Sequence, residues 1–142
     1  MDNKKETMLR FGTSFQESLC QIILEDRPFC DQIEEVMEIN FLELRYLQVF
    51  VKSIFDYRHK YGTHPSYDIV ATILKSDLEH ENEAVRKQVR HYFARIISGD
   101  VKGTEFIKDR SIDFCKKQKI KEAMMLSIKK LKTSSFDDIQ KI

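Results

Sequence analysis

An all-α domain is what this sequence predicts, and three observations carry the prediction. Apolar residues recur at steps of three and four from Phe15 to Leu131, strand-like alternation is nowhere sustained, and residues 104–131 hold neither Gly nor Pro. That last stretch makes one helix of roughly 40 Å at 1.5 Å per residue, longer than a small domain is wide. A helix that outgrows its own core reaches for something outside it, a sister subunit or another domain. The expected architecture is a small helical bundle closed by a C-terminal antiparallel hairpin whose second helix is extended.

Each element has its own signal. Ser14 and Glu17 have the spacing of a capping box, and Phe15, Leu19, Ile22 and Ile23 follow as an apolar stripe. Asp26-Arg27-Pro28 breaks the chain, with Pro28 suited to the first turn of a second helix that offers Phe29, Ile33, Val36 and Met37. The third helix has two stripes, one of Leu44, Leu47, Val51, Ile54 and Phe55 and a second of Tyr46, Phe50, Tyr57 and Tyr61. A helix apolar on two sides belongs at the centre of a bundle. Gly62 supplies a left-handed stop, and Ser66 is positioned to cap a fourth helix with Ile69, Val70, Ile73 and Leu74.

From Ser76 to Glu83 the chain is polar and acidic and reads as a loop. A fifth helix then carries Val85, Val89, Tyr92, Phe93 and Ile96 until Ser98-Gly99-Asp100 stops it. Because the next connection is short, the fifth and sixth helices are expected to fold back on each other as the hairpin. Within the long helix the apolar pattern changes midway. Phe106, Ile107 and Phe114 belong to its first half and Ile120, Met124, Ile128 and Leu131 to its second, with Lys116, Lys117, Gln118 and Lys119 as a polar collar between. After Thr133-Ser134-Ser135, Ser135 and Asp138 are spaced to cap a short helix over 136–142 that offers Phe136 and Ile139. The expected division is a flexible N-terminal tail over 1–12, a helical domain over 13–115, and an extended helix with its connecting segment over 116–142.

Composition narrows the functional classes. Charged residues make up 33 % of the chain, which favours well-solvated outer faces. No apolar run approaches the roughly 18 residues that would span a bilayer, and the charged start has no signal-peptide core. Cys20, Cys30 and Cys115 are odd in number and form no CxxC pair, as expected of reduced, buried thiols in a cytoplasmic protein. Cys115 precedes Lys116 and Lys117, a setting that favours a lowered thiol pKa, although packing is the simpler role. Residues 1–100 hold 13 Lys and Arg against 17 Asp and Glu, a balance of −4. Residues 101–142 hold 11 against 6, a balance of +5, giving the overall +1. The basic end makes Lys116, Lys117, Lys119 and Lys121 weak candidates for contact with nucleic acid, against the plainer reading of a solvated helix face.

The order of these phrases resembles the N-terminal domain of DnaB-type replicative helicases. The residues that carry the resemblance are FQESLCQIILED, the lone Phe41, a two-sided helix ending in Tyr61-Gly62, and Pro65-Ser66 before another helix. FIKDRSIDFCKKQKIKEAMMLSIKKL followed by SSFDDIQKI is similar to the linker region of phage members of that family. The resemblance runs from about Phe11 to Ile142 and rests on order and spacing. It implies an all-helical collar domain whose hairpin, here residues 85–97 with 104–114, pairs between subunits. The implied partners are further copies of the chain, as a dimer, trimer of dimers or hexamer, together with primase and a helicase loader. It also implies that Phe136 and Ile139 begin a linker helix that docks on a motor domain.

ATP hydrolysis in that family needs a GxxxxGK[ST] loop, and none of Gly12, Gly62, Gly99 or Gly103 begins one. No cofactor is therefore expected for these residues, with ATP and Mg confined to a motor domain, and no catalytic residue is proposed. His59, His64, His80 and His91 show no metal-ligand spacing with the cysteines. Candidates for contact within the domain or with partners are Phe106, Ile107, Phe114, Ile120, Met124, Ile128, Leu131, Phe136 and Ile139. The alternatives are a stand-alone mimic of a helicase collar and a helix-turn-helix regulator. For the regulator, residues 65–75 and 82–92 would be its two helices, with Arg86, Lys87 and Arg90 facing DNA. Asp77, Glu79, Glu81 and Glu83 oppose that role by placing acids beside phosphates.

Overall fold

Six α-helices and three short 3-10 turns make up 82 % of residues 6–133, the part of the chain that the computed structural model describes, and no strand occurs among them. The expected helix over 136–142, with Phe136 and Ile139, lies outside the described residues, as do residues 1–5 of the expected tail.

Helix α1 (Gly12–Glu25) continues directly from a 3-10 turn at Met8–Phe11, whose start is held by the Thr7 hydroxyl accepting from the Leu9 N–H. The chain is thus already helical before Ser14, and the expected capping box does not form: Phe11 occupies the N-cap position without a side-chain bond. Glu17 is used across the fold instead. Its carboxylate accepts from the Tyr46 hydroxyl at 2.7 Å and pairs with Arg95. The tail is corrected as well, because Met8 is fully buried and the Phe11 ring meets Phe114 edge-to-face at 5.7 Å. Two apolar side chains within a charged stretch are enough to pin it once α6 offers a surface.

Asp26 caps α2 (Arg27–Glu34) by accepting from the Phe29 N–H at 3.0 Å, with Pro28 in the first turn as expected. A 3-10 turn at Ile39–Phe41 buries Phe41 and leads into α3 (Arg45–Tyr61). Both stripes of α3 are buried in its first two-thirds, through Leu47, Val51, Ile54 and Phe55 on one side and Tyr46 and Phe50 on the other. Tyr61 has reached the surface by the end, where Gly62 at φ +71° takes the left-handed conformation that an L side chain resists. Ser66 caps α4 (Tyr67–Asp77) at the Ile69 N–H as its position suggested. The acidic loop is shorter than expected: a 3-10 turn at Leu78–His80 buries Leu78 before Asn82 caps α5 (Glu83–Ile97).

Helices α1 and α3 form the centre. The first packs on α2, α3 and α6 (Thr104–Thr133), and α3 also holds α4 and α5. Tyr92 of α5 enters between them, its ring at 5.1 Å from Phe50 and its hydroxyl donating to the Glu17 carbonyl. Gln21 is buried and donates to the carbonyls of Ile96 and Gly99, tying α1 to the end of α5 and the turn that follows it. The expected hairpin is modified by this arrangement. Although only residues 98–103 join α5 to α6, the apolar faces of the two helices go to different neighbours. That of α5 packs on α3, and that of α6 packs on α1 and α2.

Candidate interaction surface

Helix α6 has an anchored half and a projecting half. Ile107, Ser111, Phe114, Cys115 and Gln118 are the buried residues of α6. Phe114 lies edge-to-face against Phe11 and Phe41, with ring centres 5.7 and 6.0 Å away. Lys108 reaches back to the capping carboxylate of Asp26, and this pairing holds the Asp26 carboxyl below its ordinary value. The buried Ser111 hydroxyl donates to the Ile107 carbonyl of its own helix.

The polar collar proves to be the last attachment to the body. Gln118 is buried and donates to the Glu6 carbonyl, while Lys119 pairs with Glu38 at 2.9 Å and Lys121 with Glu6 at 3.3 Å. Lys117 is paired along the helix with Asp113 at 3.0 Å. Three of the four lysines considered for nucleic acid thus already meet carboxylates. At 100° per residue the four are also spread around α6 by more than half its circumference, so they do not share one face.

Past this point α6 leaves the body. Ile120, Met124, Met125, Leu126, Ile128 and Leu131 are between 50 and 67 % exposed. From Gln118 to Thr133 the helix extends about 22 Å at 1.5 Å per residue. The stripe of Ile120, Met124, Ile128 and Leu131 does not continue the anchored face. Counting 100° per residue, it is rotated by about 115° from the row of Ile107, Ser111, Phe114 and Gln118. A partner lying on it would approach from a different side than α1 and α2.

Of the candidate residues, Ile107 and Phe114, expected to pack within the domain or with partners, are internal: their side chains are buried in the protein's own core. Phe106 is exposed, with the Arg110 guanidinium 5.2 Å above its ring, and shares the azimuth of the distal stripe. Leu126 and Ile97 are exposed apolar residues that helical spacing alone did not single out, because neither belongs to a stripe.

Cys115 is fully buried, and burial pushes its thiol up to about 12, with Lys119 opposing only in part. The lowered thiol pKa suggested by its lysine neighbours is overturned, since those ammonium groups lie in solvent or in ion pairs. Cys30 is likewise pushed up to about 12 by burial, and Cys20 is raised too. Among the described residues no three of His, Cys, Asp and Glu gather as a metal site, and no helix is long and apolar enough to cross a membrane. Arg86, one of the residues a helix-turn-helix would aim at DNA, is paired with Glu83 at 2.8 Å. Compared with protein-family models, with curated proteins and with solved structures, the chain matches none.

Proposed function

We propose that this chain is an assembly and docking module, the N-terminal collar domain of a DnaB-type replicative helicase, whose work is to gather subunits and recruit partners. The observation that carries the reading is the exposed apolar stripe on the projecting half of α6. Burying a side chain such as Leu or Ile is worth about 1.5–3 kcal/mol, so four of them held in water on a straight helix favour association with another surface. Further copies of the chain are the first partner in this reading, with primase and a loader docking on the assembled collar. Unwinding belongs to a motor domain, because no phosphate-cradling loop occurs in these 142 residues.

Sedimentation equilibrium over a range of concentrations tests it. The wild-type chain is expected to form dimers or larger species, and Met124→Asp is expected to weaken them without loss of helix content. A strict monomer at every concentration would remove self-association from the account. Loss of helical signal in the variant would show that Met124 supports the fold rather than a contact.

A further inference from the structure

A second apolar surface lies between α4 and α5. Leu74, Leu78 and Phe93 form its floor, and Ala71 and Ala94 keep it low enough for a helix to approach. Ile97 continues it at one end as an exposed side chain. The groove encloses about 340 Å³, room for two or three large side chains. Its rim is basic. Lys75, Arg86 and Arg90 line it, against Glu79 as the one acid among the described lining. The Arg86 Nε is buried without a hydrogen-bond partner among the described residues, while its Nη2 is held by Glu83.

We propose that this groove docks an amphipathic helix of another protein, with apolar residues at i, i+3, i+4 and i+7 entering the floor and Asp or Glu beside them meeting Arg86, Arg90 and Lys75. A carboxylate is the acceptor that satisfies a guanidinium Nε and Nη together, as a bidentate pair. Rotation of the Arg86 side chain from Glu83 onto such a group would satisfy the nitrogen that now has no partner. The distal half of α6 from a second copy is the wrong occupant. Residues 120–133 carry four Lys against one Glu, and that charge would face the basic rim. Nucleic acid would find the cations but would leave the apolar floor in water. The proposal needs neither the helicase assignment nor association through α6.

The test uses the full chain and two fluorescein-labelled synthetic helices with Leu at i, i+3, i+4 and i+7, one with Glu and one with Lys at the flanking positions. Fluorescence anisotropy is expected to show saturable binding of the Glu helix and little of the Lys helix. Arg86→Glu with Arg90→Glu is expected to lower the first affinity by about tenfold or more and to raise the second, a swap that misfolding cannot produce. Ala94→Glu, at an exposed position, should block the Glu helix without touching the core. Met124→Asp should leave binding unchanged, which separates failure here from failure of the α6 reading. Equal binding of both helices, binding of neither, or tighter binding of a single-stranded oligonucleotide lost in the same variants would overturn the assignment.

Discussion

Replacing Phe114 by Ala removes the side chain that fastens α6 to the body, and its cost can be worked from its surroundings. The ring is 2 % exposed and meets Phe11 and Phe41 edge-to-face. Truncating a buried Phe costs about 3–5 kcal/mol, a figure that includes the cavity left behind. Both lost ring pairs lie at the favourable end of such contacts, so the upper half of that range, about 4–5 kcal/mol, is expected. For a domain of this size that corresponds to a melting temperature lower by roughly 15 °C. Phe106→Ala on the same helix is the control, since an exposed ring should change stability by no more than about 0.5 kcal/mol. Urea unfolding followed by far-ultraviolet circular dichroism, at low protein concentration, measures both. Equal effects of the two variants, or a stable Phe114→Ala, would refute the attachment of α6 to α1 and α2.

Three other outcomes follow from the same structure. Asp26→Ala should cost about 1–2 kcal/mol, a helix cap plus a partly exposed ion pair. Since Lys108 lowers the Asp26 carboxyl in the folded state, that stabilisation is complete above the ordinary value of 3.8 and is lost as pH falls through the lowered one. The gap between wild-type and variant stability should therefore narrow in acid to what the cap bond contributes, and a gap that does not shrink as pH falls would contradict the ion pair. Gly62→Ala should cost about 1 kcal/mol for conformation alone, because nothing lies within 4 Å of the added methyl, and a neutral result would remove the left-handed stop. Finally, Cys20, Cys30 and Cys115 should react with a thiol reagent in native buffer only as fast as the protein opens, whereas rapid labelling of Cys115 would contradict its burial.

Much of the helical order was legible because the signals are local. Pro28, Gly62 and Ser66 act through their own backbone geometry, and the two-sided pattern of α3 reports its central place directly. The division of α6 near Lys116–Gln118 was also readable, since the apolar stripe changes azimuth there. What spacing could not reveal depends on residues far along the chain. Glu17 looks like half of a capping box, yet Tyr46 and Arg95, 29 and 78 positions away, decide its use. Met8 looks solvated among charges, yet the assembled core buries it completely. Likewise, a short connection suggests a hairpin, but which face of α6 meets which helix is a property of the assembled bundle. The α4–α5 groove was invisible for the same reason, as its floor comes from α4, the turn at Leu78 and α5, each of which looks ordinary alone.

On the proposed reading, residues 120–133 of α6 form a contact surface rather than a solvated extension. Hydrogen exchange of this segment, measured in dilute and in concentrated solution, tests it most directly. A helix half whose apolar side chains are this exposed should exchange within its own fraying in the dilute sample. Protection there is expected to rise with concentration while the amides of α1 and α3 stay unchanged. Exchange that is equally fast at both concentrations would contradict self-association through this surface.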